Sequence, residues 1–496
     1  MGGGLIQLVC RGQQDNYLCN NPDISYFNYS YKKHTNFAIE NIELTFDKNP
    51  VLDPEITDGE YTCKISKNNI DLLKNLYFCC KLPKIYSSNN LAFKWVKNIG
   101  NILIKKAVFK IDSEIIDTVT NDWLNIWNEL TMDTEGYDRM IGNIEQLYNP
   151  SLSNSKKIII RNNKFVYDYY PSSFKDNINN PSITDYKLQI PLPFWFTRNP
   201  SLALPILRLR NKEITLTITL ENSEKLYTVY SNDLEENISP LFYNELYSKN
   251  LNSGIRKRDN IDLNYFTNSL NIFPYIEAVY IVLDQDERNS IINKTTLSYL
   301  VEQLQITNQT IIPSKNSIDN ISSIKINNNK PTKEIIWITR REDIIDKFNN
   351  FNNFSASIRH NNNYEILNSA SIIFNKTQTV IESKNSDFYN KIQPYQSHTN
   401  IPNHTGIYLY SFSFNPEKNE PSGYYNGALV ETSLLLNLNN YNVNDELYNL
   451  NIKINKHNKF TELNNNYDIN NYIVNIYSIT YNIFEMIGSD GRMKFA

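Results

Sequence analysis

Four prolines crowded around three aromatic residues, followed at once by a strand, constrain this chain more than any other stretch. In residues 191–220 (PLPFWFTRNPSLALPILRLRNKEITLTITL), Pro191, Pro193, Pro200 and Pro205 surround Phe194, Trp195 and Phe196. No helix interior accepts that spacing, because each proline lacks an amide donor and its ring clashes with the carbonyl one turn back. Directly afterwards Ile214, Leu216, Ile218 and Leu220 alternate with Thr215, Thr217 and Thr219, the period-two pattern of a half-buried β-strand. The unit reads as an aromatic corner feeding a sheet. Strand patterns continue long after it, so it is expected to close a first β domain rather than the whole fold.

Earlier strand signals lie at 37–46, 77–82, 93–96 and 102–116. In FAIENIELTF, Phe37 and Ile39 share one parity while Ile42, Leu44 and Phe46 share the other, a phase change that predicts a β-bulge. In NDWLNIWNEL, Trp123, Ile126, Trp127 and Leu130 fall at i, i+3, i+4 and i+7, which predicts an amphipathic helix sealing a sheet. Residues 221–271 weaken into charge, Asn and Ser, with Arg256, Lys257 and Arg258 as a solvated basic cluster. Strand signals resume at 275–283; Asp284 then predicts a helix cap, with a partly helical stretch to Gln305. Further strands are expected at 334–339, 371–374, 406–414, 434–438, 450–454 and 472–484. Many short strands with few helices indicate an all-β protein of two tandem sandwiches. The expected division is an arm (1–25), a first unit (26–228), a polar connection (229–269) and a second unit (270–496).

With 496 residues, the chain is long enough for several cores. Its 49 basic and 53 acidic residues leave a net charge of −4, which gives no electrostatic footprint for nucleic acid. Five cysteines, Cys10, Cys19, Cys63, Cys79 and Cys80, follow no metal or disulfide spacing, so reduced thiols are expected. No apolar run approaches the length of a membrane span. Leu5, Ile6, Leu8 and Val9 are too broken by Gln7 for a signal peptide. Too few to form a core, they are expected to contact a neighbouring molecule. Asn-x-Ser/Thr sequons such as Asn28 and Asn403 arise by chance in so asparagine-rich a chain.

A set of ordered motifs then adds a family. MGGGLIQLV (1–9), YKKHTNFAIENIELTF (31–46), FKWVKNIG (93–100), DWLNIWNEL (122–130), GYDRMIGN (136–143) and PLPFWFTRNPSLALPILRLR (191–210) closely resemble the major capsid proteins of large nucleocytoplasmic DNA viruses. So do VLDQDERNSI (282–291), YLVEQLQ (299–305), IIWITR (335–340) and YSFSFNPEKNEPSG (410–423). The resemblance implies a double jelly roll, two eight-stranded β-sandwiches per chain. It also implies a homotrimer forming a pseudo-hexagonal capsomer, with neighbouring capsomers and minor capsid proteins as partners. The setting it implies is the virion, assembled in the host cytoplasm near an internal viral membrane. Two alternatives accompany it: a divergent minor capsid or internal scaffold protein of the same fold, and a glycan-binding jelly roll or spike.

Catalytic, cofactor and metal sites are not expected. The five histidines, His34, His360, His398, His404 and His457, show no paired ligand spacing, and His34 reads as a structural hydrogen-bonding residue. Asp284, Asp286 and Glu287 lack the glycine and twelfth-position glutamate of a calcium loop. Trp123, Trp127 and Trp195 are expected to be core rather than stacking platforms.

Overall fold

Alternating apolar residues of the first half assemble into two facing four-stranded antiparallel sheets in a computed structural model of the chain. The structure describes residues 3–10, 12, 13, 15, 19–29, 31–53, 56, 58–67, 70–85, 91–132, 134–150, 158–161, 164–167, 183–231, 236–243, 270–311, 320–358, 363–439 and 471–495. The strands of the first sandwich are β1 (Phe37–Leu44), β2 (Glu60–Lys64), β3 (Leu72–Leu82), β4 (Ile104–Ile111), β5 (Glu114–Thr120), β6 (Tyr186–Pro191), β7 (Ile214–Leu220) and β8 (Tyr275–Leu283). Their orders are β1-β8-β3-β6 and β2-β7-β4-β5. The Asn121–Thr131 helix forms as predicted, with Thr120 as its N-cap and Trp123, Ile126 and Leu130 buried.

The second sandwich contains β9 (Thr296–Ile311), β10 (Asn320–Ile326), β11 (Pro331–Arg341), β12 (Leu367–Phe374), β13 (Gln378–Asn385), β14 (Ile407–Ser411), β15 (Thr432–Leu438) and β16 (Tyr472–Ile487). One sheet runs β9-β16-β11-β14, extended by two short strands, and the other β10-β15-β12-β13. The chain therefore folds as a double jelly roll of two eight-stranded units.

One sheet is buried on both faces. Ile335, Trp337, Tyr408, Val474 and Ile476 enter the core of the second sandwich. Their neighbours Ile336, Ile338, Leu409, Tyr477 and Ile479 join the hydrophobic cluster of the first. Two covered faces remove the need for polar alternation, which is why β11 reads as the continuous run Glu334-Ile335-Ile336-Trp337-Ile338.

Several expectations are corrected. The strand at 275–283, assigned from sequence to the second unit, lies in the first sandwich: β8 is inserted between β1 and β3, with Ile276, Ala278 and Tyr280 alternating into that core. β1 has no bulge, since its register with β8 runs unbroken from Phe37↔Leu283 to Leu44↔Ile276. Its change of parity reflects exposure, because β1 is an outer strand whose first residues face solvent; the bulge falls between β8 and β3, at Val279/Tyr280. Residues 102–116 are not one strand but the end of the Ile99–Leu103 helix, β4, a turn and the start of β5. Asp112 holds the turn with φ 52°, a left-handed conformation that Asp tolerates better than most residues.

The helix after Asp284 stops at Asn293. The stretch to Gln305 is then strand, because β9 pairs with β16 from Thr296↔Ile487 to Ile311↔Tyr472. β7 is a central strand between β2 and β4, and Thr217 and Thr219 are buried along with its apolar face. The polar connection begins with structure of its own, since Glu236–Ile238 pairs with Tyr227–Ser231. The basic cluster at 256–258 and the strand expected at 450–454 lie outside the described residues.

Candidate functional site

Leu5, Ile6, Leu8 and Val9 lie together on a seven-residue helix, Gly3–Val9, that buries none of its side chains. Each is more than half exposed, from 53% for Ile6 to 78% for Val9. Tyr26, Phe27, Tyr29 and Tyr31 follow at 90, 100, 89 and 69% exposed. Among the described residues, none before Ile42 belongs to a hydrophobic cluster.

The proline-aromatic corner sits in the seam between the sandwiches. After β6, Pro193 cannot donate to a ladder, Phe194 stays extended, and Trp195–Arg198 makes one helical turn. Asp117 of β5 caps that turn, its Oδ2 accepting the Trp195 amide at 2.9 Å and its Oδ1 the Thr118 amide at 2.8 Å. Burial pushes the Asp117 carboxyl up to about 6 despite these donors and nearby Arg198. Phe194 and Phe196 stack on each other and reach Phe109 of the first core. Trp195 turns the other way, 5.3 Å from the Phe484 ring and 6.5 Å from that of Tyr299. The corner is thus a wedge between the sandwiches, a role its local pattern does not reveal.

Charged groups seal the same seam. The Arg198 guanidinium lies 4.2 Å from the Trp127 ring centre and donates to Glu302 Oε2 at 2.8 Å. Lys333 donates to the other Glu302 oxygen and to the Pro416 carbonyl. Arg208 donates to the carbonyls of Gly488 and Thr295, and Arg340 to Asp122 at 2.9 Å. A cleft of about 660 Å³ opens beside Arg198, with Trp127, Met132 and Tyr137 from the first sandwich and Glu302 and Glu417 from the second on its walls. Both Glu302 oxygens are already taken by cations, so the arrangement provides cohesion rather than a base.

Beside the cleft, buried His398 bridges Glu334 (2.7 Å, Nε2) and Glu417 (2.9 Å, Nδ1). Burial alone would depress the imidazole, but the two carboxylates outweigh it and hold His398 up to about 9, so it is a cation at neutral pH. The residues on either side of this bridge lie 64 and 19 positions away, too far for any spacing motif. His34 is exposed, with Nδ1 2.7 Å from the Thr35 carbonyl; His360 and His457 lie outside the described residues.

No group of three or more His, Cys, Asp or Glu side chains is placed to hold a metal among the described residues. Asp284 accepts the Gln285 amide at 2.7 Å as the expected cap. All five cysteines are free thiols, and burial pushes Cys63 up to about 12 and Cys79 up to about 11. Trp123 and Trp195 are buried, and Trp127 is half-buried on the cleft wall with Arg198 over its ring.

Residues 25–247 match the family described as major capsid protein N-terminus, and residues 287–489 match the large eukaryotic DNA virus major capsid protein family. The chain belongs to the major capsid proteins of large eukaryotic DNA viruses. Among members of this capsid family, the probable capsid protein 4 of Acanthamoeba polyphaga mimivirus is 28% identical, the match covering 90% of this chain and 94% of that one. The major capsid protein of Phaeocystis pouchetii virus is 26% identical with both chains wholly covered. Of solved structures, the PBCV-1 virus capsid has the same fold at a TM-score of 0.64 and 21% identity, covering 95% of this chain and all of that one. The Faustovirus major capsid protein does so at 0.61 and 10% identity, covering 97% and 94%. The role of this capsid-family chain is structural, as a component of the virion shell.

Proposed function

We propose that this chain is the repeating subunit of an icosahedral shell, and that three copies close into a pseudo-hexagonal capsomer. The observation that carries the reading is the doubly buried sheet β9-β16-β11-β14, which fuses two similar eight-stranded sandwiches into one block. A threefold axis through such blocks presents six similar lobes, and closed symmetry stops the oligomer from running on into a fibre. In this reading the first unit extends to β8 and the second begins at β9. Neighbouring capsomers and minor capsid proteins are the partners, neither nucleic acid nor a cofactor is engaged, and assembly takes place in the host cytoplasm.

The N-terminal arm, through Leu5, Ile6, Leu8 and Val9, contacts a neighbouring molecule beneath the shell. Their exposure supports this, since apolar side chains clustered on a surface mark a contact site. Light scattering on the purified chain tests the capsomer directly: a mass three times that of the subunit is expected. A stable monomer at high concentration would overturn the proposal. Protein staining of purified virions separates a dominant shell subunit from a minor or scaffold protein.

A further inference from the structure

We infer that Tyr26, Phe27, Tyr29 and Tyr31 form an interface covered by a second copy of this chain. The inference rests on the proposed assembly and names one of its contact surfaces. The four rings fall within six residues, and Phe27 is fully exposed. The Tyr29 and Tyr31 rings lie 6.2 Å apart. Local bonds, such as that from the Phe27 amide to Ser25 Oγ at 3.3 Å, hold the backbone, so the rings are displayed rather than folded inward.

Area favours a macromolecular partner. An aromatic side chain buries roughly 150–250 Å², so four offer about 600–1,000 Å², against about 800 Å² per partner in a stable protein interface. Composition points the same way, because Tyr and Phe are enriched at the centres of such interfaces while the rim stays polar and solvent-accessible; here the aromatic residues are followed by the polar Lys32 and Lys33. The segment is also leashed. The Asn36 carbonyl accepts the Asp284 amide at 3.3 Å, and Phe37 begins β1, the outer strand of its sheet. Five residues from Tyr31 to that anchor span at most about 18 Å, enough to reach an adjoining subunit and too short to wrap far.

A second copy is the occupant because this chain is of the major capsid protein family, whose relatives are shell subunits; in a shell built of such subunits, copies of the same chain are the neighbours met at highest density. A lipid surface fits less well. The residues around Tyr26 and Phe27 form a turn, and membrane-surface segments instead present one apolar face of a helix with cations opposite.

The test uses the full-length chain. Light scattering compares wild type with a Tyr26→Ser, Phe27→Ser, Tyr29→Ser, Tyr31→Ser variant, and thermal denaturation checks that the variant subunit is folded. In parallel, Phe27 is replaced by photo-reactive p-benzoylphenylalanine, with and without phosphatidylserine–phosphatidylcholine vesicles. The expected result is an association midpoint at least tenfold higher for the variant at unchanged melting temperature, and cross-links from position 27 to peptides of the same chain. If wild type assembles and the variant assembles at the same midpoint, the inference fails while the capsomer reading stands. A wild-type chain that remains monomeric overturns both. Vesicle cross-links without chain-to-chain cross-links overturn the inference in favour of a membrane contact.

Discussion

Arg198 and Glu302 are 104 residues apart in the chain and 2.8 Å apart in the seam, where their ion pair joins the proline-aromatic corner to β9. Lys333 shares the same carboxylate and is itself buried. Replacing Glu302 by Ala strands two cations, and breaking a buried pair in this way costs about 3–5 kcal/mol. Chemical denaturation followed by tryptophan fluorescence should register a loss of that size for Glu302→Ala. Adding Arg198→Met and Lys333→Met should restore part of it, because apolar replacement of a whole buried network is often neutral. A loss below about 1 kcal/mol in the single variant, the range of an exposed pair, would show that the seam does not depend on this network.

His398 sets the response to alkali. Its folded value of about 9 lies above its ordinary 6.5, so the folded state holds the proton more tightly than the unfolded chain. The resulting stabilisation is complete below pH 6.5 and disappears as pH rises through 9. A difference of about 2.5 units corresponds to ~3 kcal/mol. Asp117, raised to about 6, and Glu129, raised to about 7, are pushed up by burial. Their stabilising contributions are complete below the ordinary carboxylate values and are lost as pH rises through about 6 and about 7, so His398 makes the largest contribution between pH 7 and about 8.5, above which the buried thiols of Cys63 and Cys79 add a loss of their own. Denaturation midpoints at pH 7, 7.75 and 8.5 should fall steeply for wild type and much less for His398→Gln.

Local periodicity is sufficient where the apolar residues of an element form a single stripe. β7 and the Asn121–Thr131 helix follow from the spacing of Ile214 to Leu220 and of Trp123 to Leu130 because each element settles its orientation against one core. β9 did not yield to the same reasoning. Leu297, Tyr299 and Val301 alternate as in a strand, while Leu297, Leu300, Val301 and Leu304 equally fit a helical stripe; only pairing with β16, nearly two hundred residues on, decides between them. The alternation of residues 275–283 predicts β8 as a strand but not its place between β1 and β3, since no local signal says which sheet will accept it. The seam was hidden for a related reason. Arg198, Glu302, Lys333 and His398 come from separate segments, and a charge read in isolation looks solvated until tertiary structure supplies its partner.

Gly406 precedes β14 and shows where backbone freedom is required. Its φ is +100°, and a Cβ built there would meet the Phe354 Cβ at 2.2 Å. Gly406→Ala combines backbone strain with overpacking against buried Phe354, and is expected to cost about 2–5 kcal/mol. Gly136 is the matching control, since nothing lies within 4 Å of its Cβ position and it occupies the Thr134–Ile141 helix. Ala there should be neutral or stabilise by up to ~1 kcal/mol. Melting curves of the two variants should therefore shift in different directions, and equal shifts would contradict the steric account.

Deleting residues 1–10 separates folding from assembly. Leu5, Ile6, Leu8 and Val9 are exposed and belong to neither core, so the deletion should leave the melting midpoint within the ~0.5 kcal/mol typical of surface changes. Contact with a neighbour is a different matter, because burying four aliphatic side chains at roughly 1.5 kcal/mol or more each is enough to shift a weak lattice equilibrium by orders of magnitude. Turbidity and electron microscopy under assembly conditions should show the shortened chain failing to build extended lattice. Leu5→Ser with Leu8→Ser in the full-length chain should reproduce much of that loss, which would tie it to the apolar face of the helix rather than to chain length. Lattice formation at the wild-type concentration by both variants would remove the arm from the assembly contacts.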